Sequence, residues 1–167
     1  MVHKGIPTNW RALAEHVVAE YRAALCDELL AVACFGSVAR AQAGPESDLD
    51  LYLVTRGEVT DPIGRCMDAV LRLRETPEYQ ALVHAGYRPD PMPVVHTAVK
   101  LATHPWILLD IADHGVILYD PQGILTQELE RVRCHLRELG GRRIERPDGS
   151  WYWDLKPDWR PGEVIEL

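Results

Sequence analysis

The sequence predicts an α/β (α+β) fold in which strands and helices alternate along the chain. Short apolar runs that end at glycine or turn residues are typical of buried strands, and longer segments with apolar residues at helical spacing are typical of amphipathic helices. The chain has 167 residues, 47% hydrophobic and 26% charged, as in soluble globular proteins. We therefore expect one domain over residues 1–167, with a core over about 10–120 and a C-terminal helix and β-hairpin over 121–167.

The first expected elements are a helix and a buried strand. Thr8 or Asn9 can cap the helix. Its apolar residues recur at helical spacing: Leu13, Val17, Val18, Tyr21 and Leu25. The apolar run LLAVACF then predicts a buried strand that ends at Gly36.

A second strand is expected after a helical turn. Residues Ser37–Ala43 are predicted to form a short helix that Gly44 ends, and DLDLYLV alternates acidic and aliphatic residues as a strand does. A helix over 60–73 follows, with Thr60 or Asp61 as its cap, and TPEYQALVHAG predicts a further helical stretch. We expect both stretches to cover one face of a sheet.

The C-terminal part predicts two more strands, two helices and a hairpin. PMPVVHTA and GVILY are the strands, and the helices lie over about 106–112 and 125–139, the second ended by Gly140. Asp148 and Gly149 stand between two β-prone arms, which predicts a hairpin. We expect its aromatic residues to pack and its arginines to be solvated.

Charge and hydropathy narrow the classes of partner. The chain has 18 Lys and Arg against 25 Asp and Glu, a net charge of −7, which disfavours binding to long nucleic acids. The most apolar stretch, Trp106–Tyr119, contains charged residues and is shorter than the roughly 20 residues of a membrane helix. MVHKGIPTNW lacks the apolar segment of a secretory signal. We expect a cytoplasmic protein that binds no membrane.

The cysteines and histidines predict neither disulfides nor a zinc site. The four cysteines form no CxxC pair, and the seven histidines show no HxxxH spacing. Without a secretory signal, the cysteines are expected to be reduced, buried thiols.

Asp48 and Asp50 are candidate metal ligands. Side chains two residues apart on a strand point to the same face, so both carboxylates lie together while Leu49 and Leu51 face the core. Carboxylates about 4 Å apart repel by roughly 4 kcal/mol at an effective dielectric constant near 20, so they require a cation, a proton or solvent between them. Oxygen ligands favour Mg²⁺ or Mn²⁺. Mg²⁺ in particular is commonly shared between one or two carboxylates and the phosphates of a substrate.

Gly36, Ser37 and Arg40 are candidate phosphate-binding residues. Gly36 and Ser37 stand where a strand ends and a helical turn begins, so free backbone N–H groups and a hydroxyl face the same side as the acids. Glycine lets a phosphate approach the backbone, and Arg40 can add a charge-assisted hydrogen bond.

The stretch GSVARAQAGPESDLDL resembles the minimal nucleotidyltransferases of the DNA polymerase β superfamily, whose hallmark is Gly-Ser, a short helix and then Asp-x-Asp. The matching residues are Gly36, Ser37, Ala39, Arg40, Ser47, Asp48, Asp50 and Leu51. The two halves of the motif occur in the right order and spacing, and the predicted elements around them follow the family's order.

The resemblance implies a mixed sheet with helices packed on one side. It also implies transfer of a nucleoside monophosphate from a nucleoside triphosphate to an acceptor hydroxyl, with Asp48 and Asp50 catalytic and metal-binding. In some small family members the acceptor is a tyrosine on a HEPN-type partner toxin, and in others it is an antibiotic hydroxyl. The acceptor, the nucleotide base and the oligomeric state stay open.

Two positions depart from the family's pattern. Many members have glycine where Ala41 stands, a mild change if the residue is helical here. Active members also carry a third carboxylate on a later strand, whereas PMPVVHTA contains no acid. His96 within that strand and Asp90 just before it are the candidates to replace it.

Two alternatives follow from the missing acid and from the chain length. A non-catalytic, antitoxin-like module could keep the nucleotide site and act by docking on a partner. An aminoglycoside-type resistance enzyme normally needs an additional substrate domain, for which this chain has little room. A carboxylate opposite Asp48 and Asp50 on the neighbouring strand would favour the enzyme, and a neutral or apolar side chain there would favour the binding module.

Overall fold

The computed structural model describes residues 5–165. The helices are α1 (Thr8–Leu25), α2 (Gly36–Ala39), α3 (Pro62–Leu73), α4 (Pro77–His84), α5 (Ala98–Leu101), α6 (Ile107–His114) and α7 (Ile124–Leu139). The strands are β1 (Leu29–Cys34), β2 (Leu49–Thr55), β3 (Pro91–Thr97), β4 (Val116–Tyr119), β5 (Arg142–Glu145) and β6 (Trp151–Asp154). The order of helices and strands expected from the sequence is confirmed.

Four strands form a mixed sheet in the order β3-β2-β1-β4. β1 runs antiparallel to both β2 and β4, whereas β2 and β3 are parallel. β5 and β6 form a separate antiparallel hairpin. The expected mixed α/β fold is therefore confirmed.

Helices cover both faces of the sheet. On one face, Leu49, Leu51 and Leu53 of β2 belong to a core with residues of α1, α3 and α4. On the other face, Tyr52 and Val54 pack with residues of α5, α6 and α7. The expectation of helices on one face holds for α1, α3 and α4, but the later helices cover the second face. A second layer is needed because β1 and β2 are apolar on both sides and bury nearly every residue.

The turn between β1 and β2 differs from its prediction. The helix α2 ends at Ala39, not at Ala43, and Ala41 has a left-handed backbone with φ of 55°. The view of Ala41 as a helical residue is therefore wrong. Alanine in this conformation is strained because its Cβ approaches the following carbonyl oxygen.

Two smaller expectations are also corrected. α1 follows Pro7 with no side-chain cap, so neither Thr8 nor Asn9 serves as its N-cap. All four cysteines are free, as expected, but Cys26 and Cys134 are exposed, and only Cys34 and Cys66 are buried. Both exposed thiols lie at positions that the helical pattern alone does not assign to the core.

The C-terminal hairpin packs against α6 and α7. Trp153 lies at the edge of the second core, and its indole N–H donates to Asp110 Oδ1 at 3.1 Å. Arg143 pairs with Asp113 at 3.0 Å, and Arg142 with Asp154 at 3.5 Å. These aromatic and basic residues therefore have structural contacts.

Within residues 5–165, no helix is long and apolar enough to cross a membrane.

Candidate functional site

The turn after β1 lies directly beside Asp50. The Phe35 N–H donates to the Asp50 carbonyl at 3.1 Å, which continues the β1–β2 pairing up to the turn. Gly36 follows with a left-handed φ of 69°. A Cβ at position 36 would overlap Asp50 Oδ2 and lie 3.0 Å from its Cγ. Glycine is thus required both by the backbone conformation and by the close approach of the Asp50 carboxylate.

Asp48 and Arg40 both act electrostatically on Asp50. Burial raises the pKa of the Asp50 carboxyl, the neighbouring Asp48 raises it further, and Arg40 opposes both effects. Asp48 itself is exposed at the mouth of the sheet. Two carboxylates and one guanidinium therefore lie within electrostatic reach of one another beside the Gly-Ser turn.

A pair of hydroxyls connects the turn to the acids. Ser37 Oγ lies 3.0 Å from Ser47 Oγ, and Ser47 Oγ accepts a hydrogen bond from the Gly44 N–H at 2.9 Å. From the sequence alone, Ser47 has no role beyond its match to the family motif. A serine three residues after a glycine in a turn is the local signal that could have indicated this side-chain contact.

Arg40 lies in the turn after α2 rather than inside a helix. Its Nε donates to Gln42 Oε1 at 3.2 Å. This hydrogen bond leaves the terminal guanidinium nitrogens of Arg40 available for a ligand, and the effect of Arg40 on Asp50 places its charge near the acid pair.

The residue opposite Asp50 on the neighbouring strand is Met92. β2 and β3 pair in parallel with Asp50 opposite Met92, and the Met92 side chain is 49% exposed. An apolar side chain therefore stands beside Asp50 on β3. An apolar residue at this position favours the binding module.

His96 lies away from the acid pair. It is opposite Val54, four residues beyond Asp50 along β2, which corresponds to about 13 Å at 3.3 Å per residue. Its Nδ1 is hydrogen-bonded to the Tyr52 hydroxyl at 3.1 Å. Burial and Lys100 lower the pKa of His96. The structure therefore does not bring His96 to the place of a third acid.

Asp90 is engaged by other residues. Its Oδ1 accepts hydrogen bonds from the Tyr79 hydroxyl at 2.8 Å and from Arg74 at 3.1 Å. Its backbone carbonyl accepts from the Leu49 N–H at 3.0 Å, so the residue is near the start of β2 while its carboxylate belongs to a separate ion pair.

Among residues 5–165, no group of three His, Cys, Asp or Glu side chains could hold a metal ion.

The acid pair nevertheless fits a hard divalent cation that a substrate would help to bind. The raised pKa of Asp50 reports that its charged form is unfavourable next to Asp48 and in partial burial. A cation relieves both effects. Mg²⁺ is commonly bound by one or two carboxylates together with substrate phosphates, so the two aspartates are donors of the type that this ion takes.

Several solved structures resemble this chain. A chain from a crystal structure of a toxin–antitoxin with AMP-PNP is 15% identical over 75% of this chain and 92% of that chain, with a TM-score of 0.46. A chain from the tri-AMPylated Shewanella oneidensis HEPN toxin in complex with MNT antitoxin is 12% identical over 78% of this chain and 92% of that chain, with a TM-score of 0.43. No curated protein matches the sequence.

The family is shown by a match along the sequence. The model of the nucleotidyltransferase domain matches residues 18–135, more than half of the chain. This span contains the whole four-stranded sheet, the turn at Gly36 and both Asp48 and Asp50. The chain therefore belongs to the nucleotidyltransferase domain family.

Proposed function

We propose that this protein is a metal-dependent nucleotidyltransferase, which transfers a nucleoside monophosphate from a nucleoside triphosphate to an acceptor hydroxyl. The observation that carries the proposal is the close approach of the Asp50 carboxylate to Gly36. It joins the metal-binding half of the motif to the phosphate-binding half at one edge of the sheet.

Each residue of this edge has a distinct part in the proposed reaction. Asp48 and Asp50 hold Mg²⁺ or Mn²⁺, and Gly36, Ser37 and Arg40 hold the triphosphate oxygens. The metal, when bound, neutralises charge on the phosphates. The acceptor hydroxyl gives its proton to water, its oxygen forms a bond to the α-phosphorus while the bond from that phosphorus to the α,β-bridging oxygen breaks, and pyrophosphate leaves.

Met92 supports a second candidate function, nucleotide binding without efficient transfer. A carboxylate beside the acid pair would complete the metal ligands and accept the proton of the attacking hydroxyl. Met92 can do neither. On this alternative the protein binds a metal–nucleotide complex and acts by docking on a partner, and it transfers no nucleotide.

Two measurements on the purified chain test the proposal and separate the candidates. Binding of ATP is measured by calorimetry and thermal melting with and without Mg²⁺. Binding to the native state alone stabilises it by about 2.7 kcal/mol at a hundredfold excess over Kd. Transfer from ATP labelled at the α-phosphate is then measured with and without cell extract.

The outcomes are distinct. Metal-dependent binding together with labelled product from the wild type, and neither from Asp48→Asn, supports the transferase. Binding with no labelled product under either condition supports the binding module. No metal-dependent effect of ATP, GTP, CTP or UTP at millimolar concentration contradicts both functions.

A further inference from the structure

Ser47 occupies the link between the two halves of the site. It directly precedes Asp48, and its Oγ lies 3.0 Å from Ser37 Oγ, ten residues away in the sequence. Both side chains are partly buried. Ser47 thus connects a hydroxyl on the Gly-Ser turn to the segment that carries the acids.

The Ser47 side chain is itself held in place. The Gly44 N–H donates to Ser47 Oγ at 2.9 Å, and the Ser47 N–H donates to the Gly44 carbonyl at 3.0 Å. Two hydrogen bonds to one glycine close the turn over 44–47 and determine the position of Oγ. The Ser47 hydroxyl is therefore held independently of Ser37 and can orient the Ser37 hydroxyl.

The shared hydrogen bond of the two serines can reverse its direction. A hydroxyl has one rotatable donor hydrogen and two acceptor lone pairs. The Gly44 N–H occupies one lone pair of Ser47, so Ser47 can either accept from Ser37 or donate to it. A Ser37 hydroxyl that donates to a phosphate oxygen has no hydrogen left for Ser47, but it can still accept one from Ser47.

We propose that Ser47 is a positioning residue of the triphosphate site: it holds the Ser37 hydroxyl on the turn and becomes the donor of their shared hydrogen bond when Ser37 donates to a phosphate oxygen. This inference rests on the proposed function, because it requires a triphosphate at Ser37. It assigns Ser47 no direct contact with the metal or with the reacting atoms.

A double-mutant cycle on the full chain tests this role, with ATP and Mg²⁺ as the probe and calorimetry as the measurement. Removal of one neutral hydrogen bond is expected to weaken binding about three- to tenfold, so Ser47→Ala and Ser37→Ala should each show such a loss. The double variant should bind no more weakly than Ser37→Ala, because Ser47 acts only through Ser37. Ser150→Ala is the matched control, since it removes an exposed hydroxyl that bonds Asp148 in the hairpin, and it should bind as the wild type does.

Ser47→Thr and Ser47→Val have the same volume as each other and differ only in the hydroxyl. Comparing their Kd values repeats the test and keeps it valid if Ser47→Ala unfolds. Threonine should retain the wild-type Kd and valine should not. Equal Kd values for threonine and valine, or a further loss when Ser47→Ala is added to Ser37→Ala, would overturn the inference. Wild-type protein that binds none of ATP, GTP, CTP and UTP overturns the proposed function and this inference with it, whereas normal wild-type binding with no coupling overturns this inference alone.

Discussion

The carboxylate of Asp50 lies against the Cα of Gly36, with no room for a Cβ between them. From the sequence alone, the reason for glycine at position 36 is the approach of a phosphate to the backbone. The structure supplies a second requirement that needs no ligand, because the carboxylate of the same protein already occupies the space. The Gly-Ser turn and the Asp-x-Asp strand are thus mutually dependent even in the free protein.

Gly36→Ala should therefore lower both stability and nucleotide binding. The new Cβ forces a strained left-handed backbone and displaces Asp50, and we expect a loss of about 2 kcal/mol in the free energy of unfolding. Gly57→Ala is the matched control, because a Cβ there meets nothing within 4 Å and the backbone is not left-handed. Urea unfolding and ATP titration measure the two effects, and equal stability of the two variants would contradict the expected strain.

Asp50→Asn should stabilise the free protein at neutral pH. The native pKa of Asp50 is raised above its usual 3.8, so the native state holds this proton more tightly than the unfolded state. That stabilisation is present at low pH and is lost as the pH rises from about 3.8 through the raised native pKa. Replacing the ionised carboxylate by an amide should then raise the free energy of unfolding by about 1 kcal/mol at pH 7 and by less at pH 4.

Urea unfolding of the wild type and Asp50→Asn at both pH values checks this sign. A stability gain that is larger at pH 4 than at pH 7 would contradict the burial and Asp48 effects assigned to Asp50. Asp48→Asn provides the comparison at an exposed position. Both variants should lose Mg²⁺-dependent ATP binding while they stay folded, and unfolding of both would make the acids structural.

Ala41→Gly should stabilise the protein. Ala41 has a φ of 55° and an exposed side chain, so glycine relieves a left-handed strain of about 1–2 kcal/mol and loses little packing. The greater backbone entropy of glycine in the unfolded chain reduces this stabilisation by about 0.5–1 kcal/mol. We expect a net gain of about 0.5–1 kcal/mol, measured by urea unfolding. At Ala19, exposed in the middle of α1, the same substitution should instead cost about 1 kcal/mol.

Met92→Asp should supply the carboxylate that β3 lacks. Met92 is opposite Asp50 and half exposed, so a shorter polar side chain is tolerated there. If the missing acid limits the reaction, transfer from ATP labelled at the α-phosphate should rise by about 10²- to 10⁴-fold. Met92→Asn, which lacks the charge, should give no increase. Equal transfer rates for the aspartate and asparagine variants would show that a carboxylate at this position does not limit transfer.

Local sequence rules were sufficient for the elements and for the core of the candidate site. The alternation of Asp48, Leu49, Asp50 and Leu51 depends only on the two-residue period of a strand, and a glycine at the end of an apolar run is a local signal of a sharp turn. These properties are determined over a few consecutive residues. The approach of the Gly-Ser turn to Asp50 depends in addition on the register in which β1 pairs with β2, which local rules do not determine.

Only the tertiary structure decided what surrounds the acid pair. Met92 stands opposite Asp50 because β2 and β3, separated by two helices, pair in one particular register. Asp90 turned out to be held by Arg74 and Tyr79, which belong to other segments of the chain. Register and long-range side-chain contacts depend on how distant segments pack, and a shift of one residue would exchange the faces of β3. No pattern within PMPVVHTA carries that information, so the sequence by itself could name Asp90 and His96 as candidates but could not place either of them.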